Sequence, residues 1–146
     1  MSVIYKPTGM AREYSPYACN IYLGCSHRCA YCYAPHTLKR NLSDYFGNPL
    51  PRKGILNLIE KDLKNNVYKE QVLLSFVGDN YCDSADNGET FREVLKLFSA
   101  YKVPVAVLSK GGKKMLRDLD IFKTFGDLIT VGVTLTFLDE SGEKLG

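Results

Sequence analysis

Three thiols fall within eight residues. Cys25-Ser26-His27-Arg28-Cys29-Ala30-Tyr31-Cys32 separates them by three residues and then by two. Cysteine thiolates hold iron–sulfur clusters, and most such clusters take four of them. Cys19 lies six residues before Cys25 on an expected strand, roughly 20 Å away at ~3.3 Å per residue, which is too far to close the same site. Cys82 is distant in sequence and free to approach in space. Three cysteines on a four-iron cluster leave one iron open, and open coordination is what separates a catalytic metal site from a structural one. The alternative is a zinc site of Cys3His type using His27 or His36. Zinc pairs usually come as two CxxC knuckles, and no second knuckle is present.

The rest of the chain bounds that chemistry. It has 146 residues, one domain's worth, with 45% hydrophobic and 24% charged residues, the ordinary mix of a globular protein. A disordered tail, a collagen-like fibre and a coiled coil are excluded. No apolar run reaches the ~18 residues of a membrane span, and the first twenty residues lack the apolar core of a signal peptide. Five cysteines, three of them clustered and none preceded by an export signal, read as metal ligands in a reducing cytoplasm rather than as a disulfide framework. The net charge of +3 permits an anionic partner without arguing for nucleic acid.

The elements that must position these thiols alternate regularly. Tyr17–Leu23 reads as a first strand, followed by a polar, aromatic loop that carries the cysteines. Ile55, Ile59 and Leu63, with Leu56 beside them, predict a helix ending at Asn65-Asn66. Gln71–Val77 is an unbroken apolar strand of the parallel-sheet kind. A loop over Gly78–Asn87 precedes a helix with Phe91, Val94, Leu95 and Phe98 on one face. Val103–Leu108 is a third strand. Gly111-Gly112 opens a helical stretch carrying Met115, Leu116, Leu119 and Phe122, and Leu128–Phe137 is a fourth strand. The expected fold is α/β: a partial (β/α) TIM-like barrel of about four parallel strands and three helices. A full barrel needs roughly 250 residues, so residues 1–146 read as one domain, truncated at its C-terminus. On that reading the strand-four edge calls for missing barrel units or self-association.

A CxxxCxxC loop with an aromatic before its last cysteine, just after a first strand, resembles the radical S-adenosylmethionine (radical SAM) superfamily. The wider string Asn20-Ile-Tyr-Leu-Gly-Cys-Ser-His-Arg-Cys-Ala-Tyr-Cys-Tyr-Ala is similar to its spore photoproduct lyase-like branch, often labelled DNA repair photolyase. Ile4-Tyr5-Lys6-Pro7 and Lys53 with its helix add to the likeness. The resemblance implies a 4Fe–4S cluster on Cys25, Cys29 and Cys32, whose open iron chelates the amino and carboxylate groups of S-adenosylmethionine. One electron then cleaves the sulfonium C–S bond to methionine and a 5′-deoxyadenosyl radical, which abstracts hydrogen from substrate. It also implies a flavodoxin- or ferredoxin-like electron donor and lyase-type chemistry. The substrate is unidentified, with a DNA lesion suggested only by the branch label. The contrasting reading is a non-catalytic iron–sulfur or zinc module.

Ligands of parallel α/β folds bind beyond the carboxyl ends of the strands. There the sequence puts the cysteine loop, Gly78-Asp79-Asn80, Ser109-Lys110-Gly111-Gly112, and Thr134 with Thr136. Asp79 is either a loop or helix-capping aspartate or, by resemblance, part of the segment that binds the methionyl amino group. It departs from the branch's usual Thr-Asp-Pro-like pattern. Lys110 reads as a surface lysine or as the partner of the cofactor carboxylate. Thr134 and Thr136 are strand residues by propensity, and either could bond the ribose hydroxyls. Tyr31 and Tyr33 flank the last cysteine, where aromatics could pack on adenine. Cys82 reads as a buried thiol, with hydrogen-atom donation as its functional alternative.

Overall fold

The computed structural model describes residues 2–27, 35, 41–47, 49–76, 78–84 and 86–134. A four-stranded parallel sheet forms its centre. The strands are β1 (Tyr17–Ala18), β4 (Val72–Leu74), β5 (Val105–Ser109) and β6 (Ile129–Val133), and they lie side by side in chain order. Val72 is opposite Tyr17 on one side and Val105 on the other, and Val105 is in turn opposite Ile129. Each neighbour is reached through a helical crossover, as a parallel α/β sheet requires. The alternation expected from the sequence is therefore present.

The expected first strand divides in two. Only Tyr17–Ala18 joins the main sheet, while β2 (Tyr22–Leu23) turns away and pairs antiparallel with β3 (Leu50–Pro51). This small second sheet closes the long cysteine loop at its base, and α1 (Leu42–Gly47) lies between its strands in sequence.

Two amphipathic helices cover one face of the large sheet. α2 (Ile55–Asn65) buries Ile55, Ile59 and Leu63, the period-four set seen in the sequence. α3 (Glu89–Ala100) buries Phe91, Val94, Leu95 and Phe98. Each such side chain contributes about 1.5–3 kcal/mol on full burial. They pack on Val72, Leu74, Val105 and Val107, which alternate with the side chains of the opposite face as strand geometry dictates. On that other face Ala18, Leu73 and Ala106 form a small cluster under Tyr5 and Phe76.

The third helical stretch departs from its expected form. Gly112–Asp118 is 3₁₀ helix, and α4 (Leu119–Thr124) follows it. The change of pitch between them rotates the faces. Met115, Ile121 and Phe122 are buried, whereas Leu116 is 64% and Leu119 45% exposed. Val131 and Val133 of β6, at the sheet edge, are also exposed. Residues 135–137 of the expected fourth strand lie outside the described residues.

A strap ties the N-terminus to α2. The amides of Val3 and Ile4 both donate to Asp62 Oδ2, at 2.8 and 3.0 Å, and Asp62 is itself buried. Tyr5 then bridges to Ala18 of β1, exchanging both backbone hydrogen bonds. Among the described residues, no helix is long and apolar enough to cross a membrane.

Candidate functional site

The cysteine loop leaves β2 at Gly24, and the loop after β4 leaves the sheet beside it. Gly78 makes this approach possible. Its φ is +83°, a conformation that favours glycine, and a Cβ there would stand 3.0 Å from the carbonyl oxygen of Gly24, so that the backbone would have to shift slightly. Ser26 and Asp83 fasten the two loops further on, where the Asp83 amide donates to Ser26 Oγ at 2.8 Å. Asp83 also pairs with Lys114 of the 3₁₀ segment.

Between these ties lie two buried thiols. Cys25 is 8% exposed and Cys82 3% exposed, and they share a small cluster with Tyr45 and Phe46. The Cys25 amide donates to the Tyr45 carbonyl oxygen at 2.9 Å, which fixes where the loop begins. The proximity of Cys25 draws the Cys82 thiol down to about 6, helped by Ser26, and the same proximity together with burial raises Cys25. Cys19 differs: burial pushes its thiol up to about 12. It sits in the main core with Val72 and Leu74, apart from the other two thiols.

Asp79 organises the rim. Its Oδ1 accepts from Ser109 Oγ at 2.6 Å and from the Tyr81 amide at 2.9 Å. Its Oδ2 accepts from the Lys110 amide at 2.9 Å and lies 3.1 Å from His27 Nε2. That last contact is at ion-pair distance but off the hydrogen-bond line. Burial raises the Asp79 carboxyl, yet His27, Ser109 and the two amides outweigh it and hold it below the ordinary carboxylate value. The same contact raises His27 above the usual imidazole value against the opposing effect of burial. Three hydrogen bonds and the nearby imidazole thus surround a carboxylate that offers about four acceptor sites.

Tyr81 anchors the loop from below. Its hydroxyl donates to buried Asp118 Oδ2 at 2.8 Å, and the Arg117 guanidinium lies 4.7 Å over its ring. Gly111 sits against this ring so closely that a Cβ would come within 2.4 Å of Tyr81 Cβ. Asn80 is 2% exposed and its side-chain amide has no hydrogen-bond partner.

The structure therefore brings Cys25, Asp79 and the Lys110 backbone to one end of the sheet. Thr134 follows β6 at the same end, where its amide donates to the Ser109 carbonyl oxygen at 2.9 Å and its side chain is exposed. Cys29, Cys32, Tyr31, Tyr33, His36 and Thr136 lie outside the described residues. Sequence reasoning left open whether Cys82 approaches the motif, which it does by packing with Cys25, and missed Tyr81 and Ser26. The hint for Cys82 was its place in the loop after a strand, on the same rim as the motif. A cleft of about 320 Å3 opens at the opposite end, lined by Tyr68, Pro104 and Leu128 among others, and holds none of these groups.

Residues 19–145 match the model of the radical SAM superfamily. That span contains the cysteine loop, the whole rim and every strand of the parallel sheet after β1. The chain belongs to the radical SAM superfamily. An uncharacterized protein of Methanocaldococcus jannaschii is 31% identical to it over 129 residues, which are 88% of this chain and 47% of that protein. The chain thus spans about half the length of the curated relative it matches. No solved structure matches. Members of this superfamily generally carry out S-adenosylmethionine-dependent radical chemistry with an iron–sulfur cluster. The donor chemistry fits such a group, since soft thiolates suit iron–sulfur ligation and Cys25 presents a buried thiol on the rim. Among the described residues no three ligating side chains group together. The other two motif cysteines lie outside those residues.

Proposed function

We propose that this chain is the cofactor-binding core of a radical SAM enzyme that holds a 4Fe–4S cluster on Cys25, Cys29 and Cys32. When bound, the cluster supplies the electron that cleaves S-adenosylmethionine to methionine and a 5′-deoxyadenosyl radical for hydrogen abstraction. The observation that carries the reading is the buried Cys25 thiol at the start of the three-cysteine loop, beside the carboxyl ends of a parallel sheet. Asp79 holds the loops after β4 and β5 and the His27 segment in register. In this reading the Lys110 side chain faces the cofactor carboxylate, Thr134 meets the ribose, and Tyr31 and Tyr33 flank the adenine. Asp79 shapes the pocket for the methionyl amino group through the backbone it arranges. A small one-electron donor of flavodoxin or ferredoxin type completes the system, in a reducing compartment that preserves the thiols. The likeness to the spore photoproduct lyase-like branch favours a lyase, with a nucleic-acid lesion as the first substrate class to test.

Anaerobic reconstitution with ferrous iron and sulfide tests the assignment. It should yield close to four irons and four sulfides per chain, and added S-adenosylmethionine should alter the paramagnetic resonance of the reduced cluster. Reductant with cofactor should then release 5′-deoxyadenosine. Replacing Cys25, Cys29 or Cys32 by Ala should abolish iron binding, and Cys19→Ala should leave it intact. A colourless zinc protein, or equal iron loss in Cys19→Ala, would overturn the reading.

A further inference from the structure

We propose that the cleft at the amino ends of the strands binds a small, free aromatic carboxylate, paired with Lys69 and Lys102. The site is remote from the thiols and stands independently of the cluster assignment. It lies between the turn that follows α2 and the turn that follows α3, and its volume is about 320 Å3. Ligand pockets run from about 300 to 1,000 Å3, so this one suits a fused ring with an acid group and little more. Buried Tyr68 and Val103 contribute its apolar lining, with Tyr101 and Val67 beside them. Val67 is 82% exposed, so the chain leaves this apolar surface uncovered. Tyrosine faces and branched apolar side chains fit a flat ring, and a concave site favours a compact molecule over a protein surface.

The charge on the cleft is one-sided. Lys69 and Lys102 line it and no carboxylate does; among the described residues neither lysine has an ion-pair partner. Lys102 carries a second mark. Its φ is +55°, in the left-handed region just past the α3 cap, where glycine is usual. The Lys102 and Val103 amides donate there to the Ser99 and Phe98 carbonyl oxygens, at 3.1 and 3.0 Å. Those bonds fix the turn through the backbone alone, so glycine would make them without strain. Among the described residues the other non-glycine position at positive φ is Asn87, and asparagine bears that backbone readily. A cation near a helix C-terminus also suits the helix dipole, but a right-handed position one turn earlier would supply that benefit unstrained. Strain kept at a residue that lines a cleft points to use of its side chain.

The test titrates the whole chain, isotope-labelled for nuclear magnetic resonance, with naphthalene-2-carboxylate and with its uncharged counterpart naphthalene-2-methanol. The carboxylate should shift the backbone amide signals of residues 66–69 and 101–103 saturably. It should bind about fivefold more tightly than the alcohol, the order expected of two solvent-facing ion pairs. Lys69→Gln and Lys102→Gly should each weaken the carboxylate about threefold and leave the alcohol unchanged. Lys102→Gly should also melt at a higher temperature than wild type, because it relieves the left-handed backbone. Higher melting with unchanged affinity for the carboxylate would make Lys102 a helix-end residue only and would overturn the proposal. Equal binding of acid and alcohol would overturn it as well. So would the lack of a saturable shift at these residues up to about 5 mM, a concentration that fills even a millimolar site.

Discussion

The Ser109 hydroxyl donates to Asp79 Oδ1 at 2.6 Å, joining the last residue of β5 to the loop that follows β4. Two loops that approach a parallel sheet's ligand-binding end from neighbouring strands are thereby locked at one carboxylate. Because the Lys110 amide donates to the other oxygen, the path of the chain beyond β5 is set by Asp79.

Asp79→Ala should destabilise the cluster-free protein by about 2 kcal/mol or more, since each buried donor stripped of its acceptor costs about 1–3 kcal/mol. Asp79→Asn keeps the Oδ1 contacts and should lose less. Urea unfolding compares the two. A loss in Asp79→Ala too small to resolve would show that the carboxylate does not hold the rim together.

The His27–Asp79 contact sets a pH window. The His27 pKa is raised, so its contribution is full below the ordinary imidazole value of 6.5 and is lost as pH rises through the folded value. The Asp79 pKa is lowered, so its contribution is present above the ordinary 3.8 and is lost as pH falls through the folded value. The contact is strongest between those two ordinary values. The stability difference between cluster-free wild type and His27→Gln should shrink from mildly acidic to alkaline pH. A constant difference would mean that the contact is not electrostatic.

Cys19 should resist alkylation. Burial keeps its thiol protonated to about pH 12, and thiolate is the reacting form. Native protein treated with iodoacetamide at mildly alkaline pH should leave Cys19 unmodified by peptide mass spectrometry, and urea should expose it. Rapid labelling without denaturant would place Cys19 outside the core.

Gly111→Ala should cost about 1–3 kcal/mol, the usual penalty for overfilling a packed site, because its Cβ would collide with Tyr81 Cβ. Gly54→Ala meets open space at φ +70° and should cost only the strain of that backbone, about 1 kcal/mol. Thermal melts of the two variants should rank them in that order. The reverse order would show that the loop carrying Tyr81 yields readily to the added methyl group.

What was legible in the sequence was what repeats locally. Ile55, Ile59 and Leu63 mark α2 by their spacing alone, and all three are buried. The alternation of elements implied a parallel sheet, and the cysteine spacing located the chemistry. The division of the first strand was hidden, because Tyr22–Leu23 has good strand chemistry either way and only its pairing with Leu50–Pro51 decides its sheet. The 3₁₀ turn at Gly112–Asp118 carries the same apolar residues as an α-helix would. The four contacts of Asp79 reach up to 52 positions along the chain, from residue 79 back to residue 27, and no local pattern encodes them. For the same reason the sequence left the approach of Cys82 to Cys25 open, and only the docked loops decide it.

The strap from Val3 and Ile4 to Asp62 links chain segments 59 and 58 residues apart. Solvent deuterium can replace those two amide protons only when the strap lifts off α2. Their exchange rates therefore report on the detachment of a helix that also builds the core. Residues 3–5 are structural members of the domain, and removing them would loosen α2.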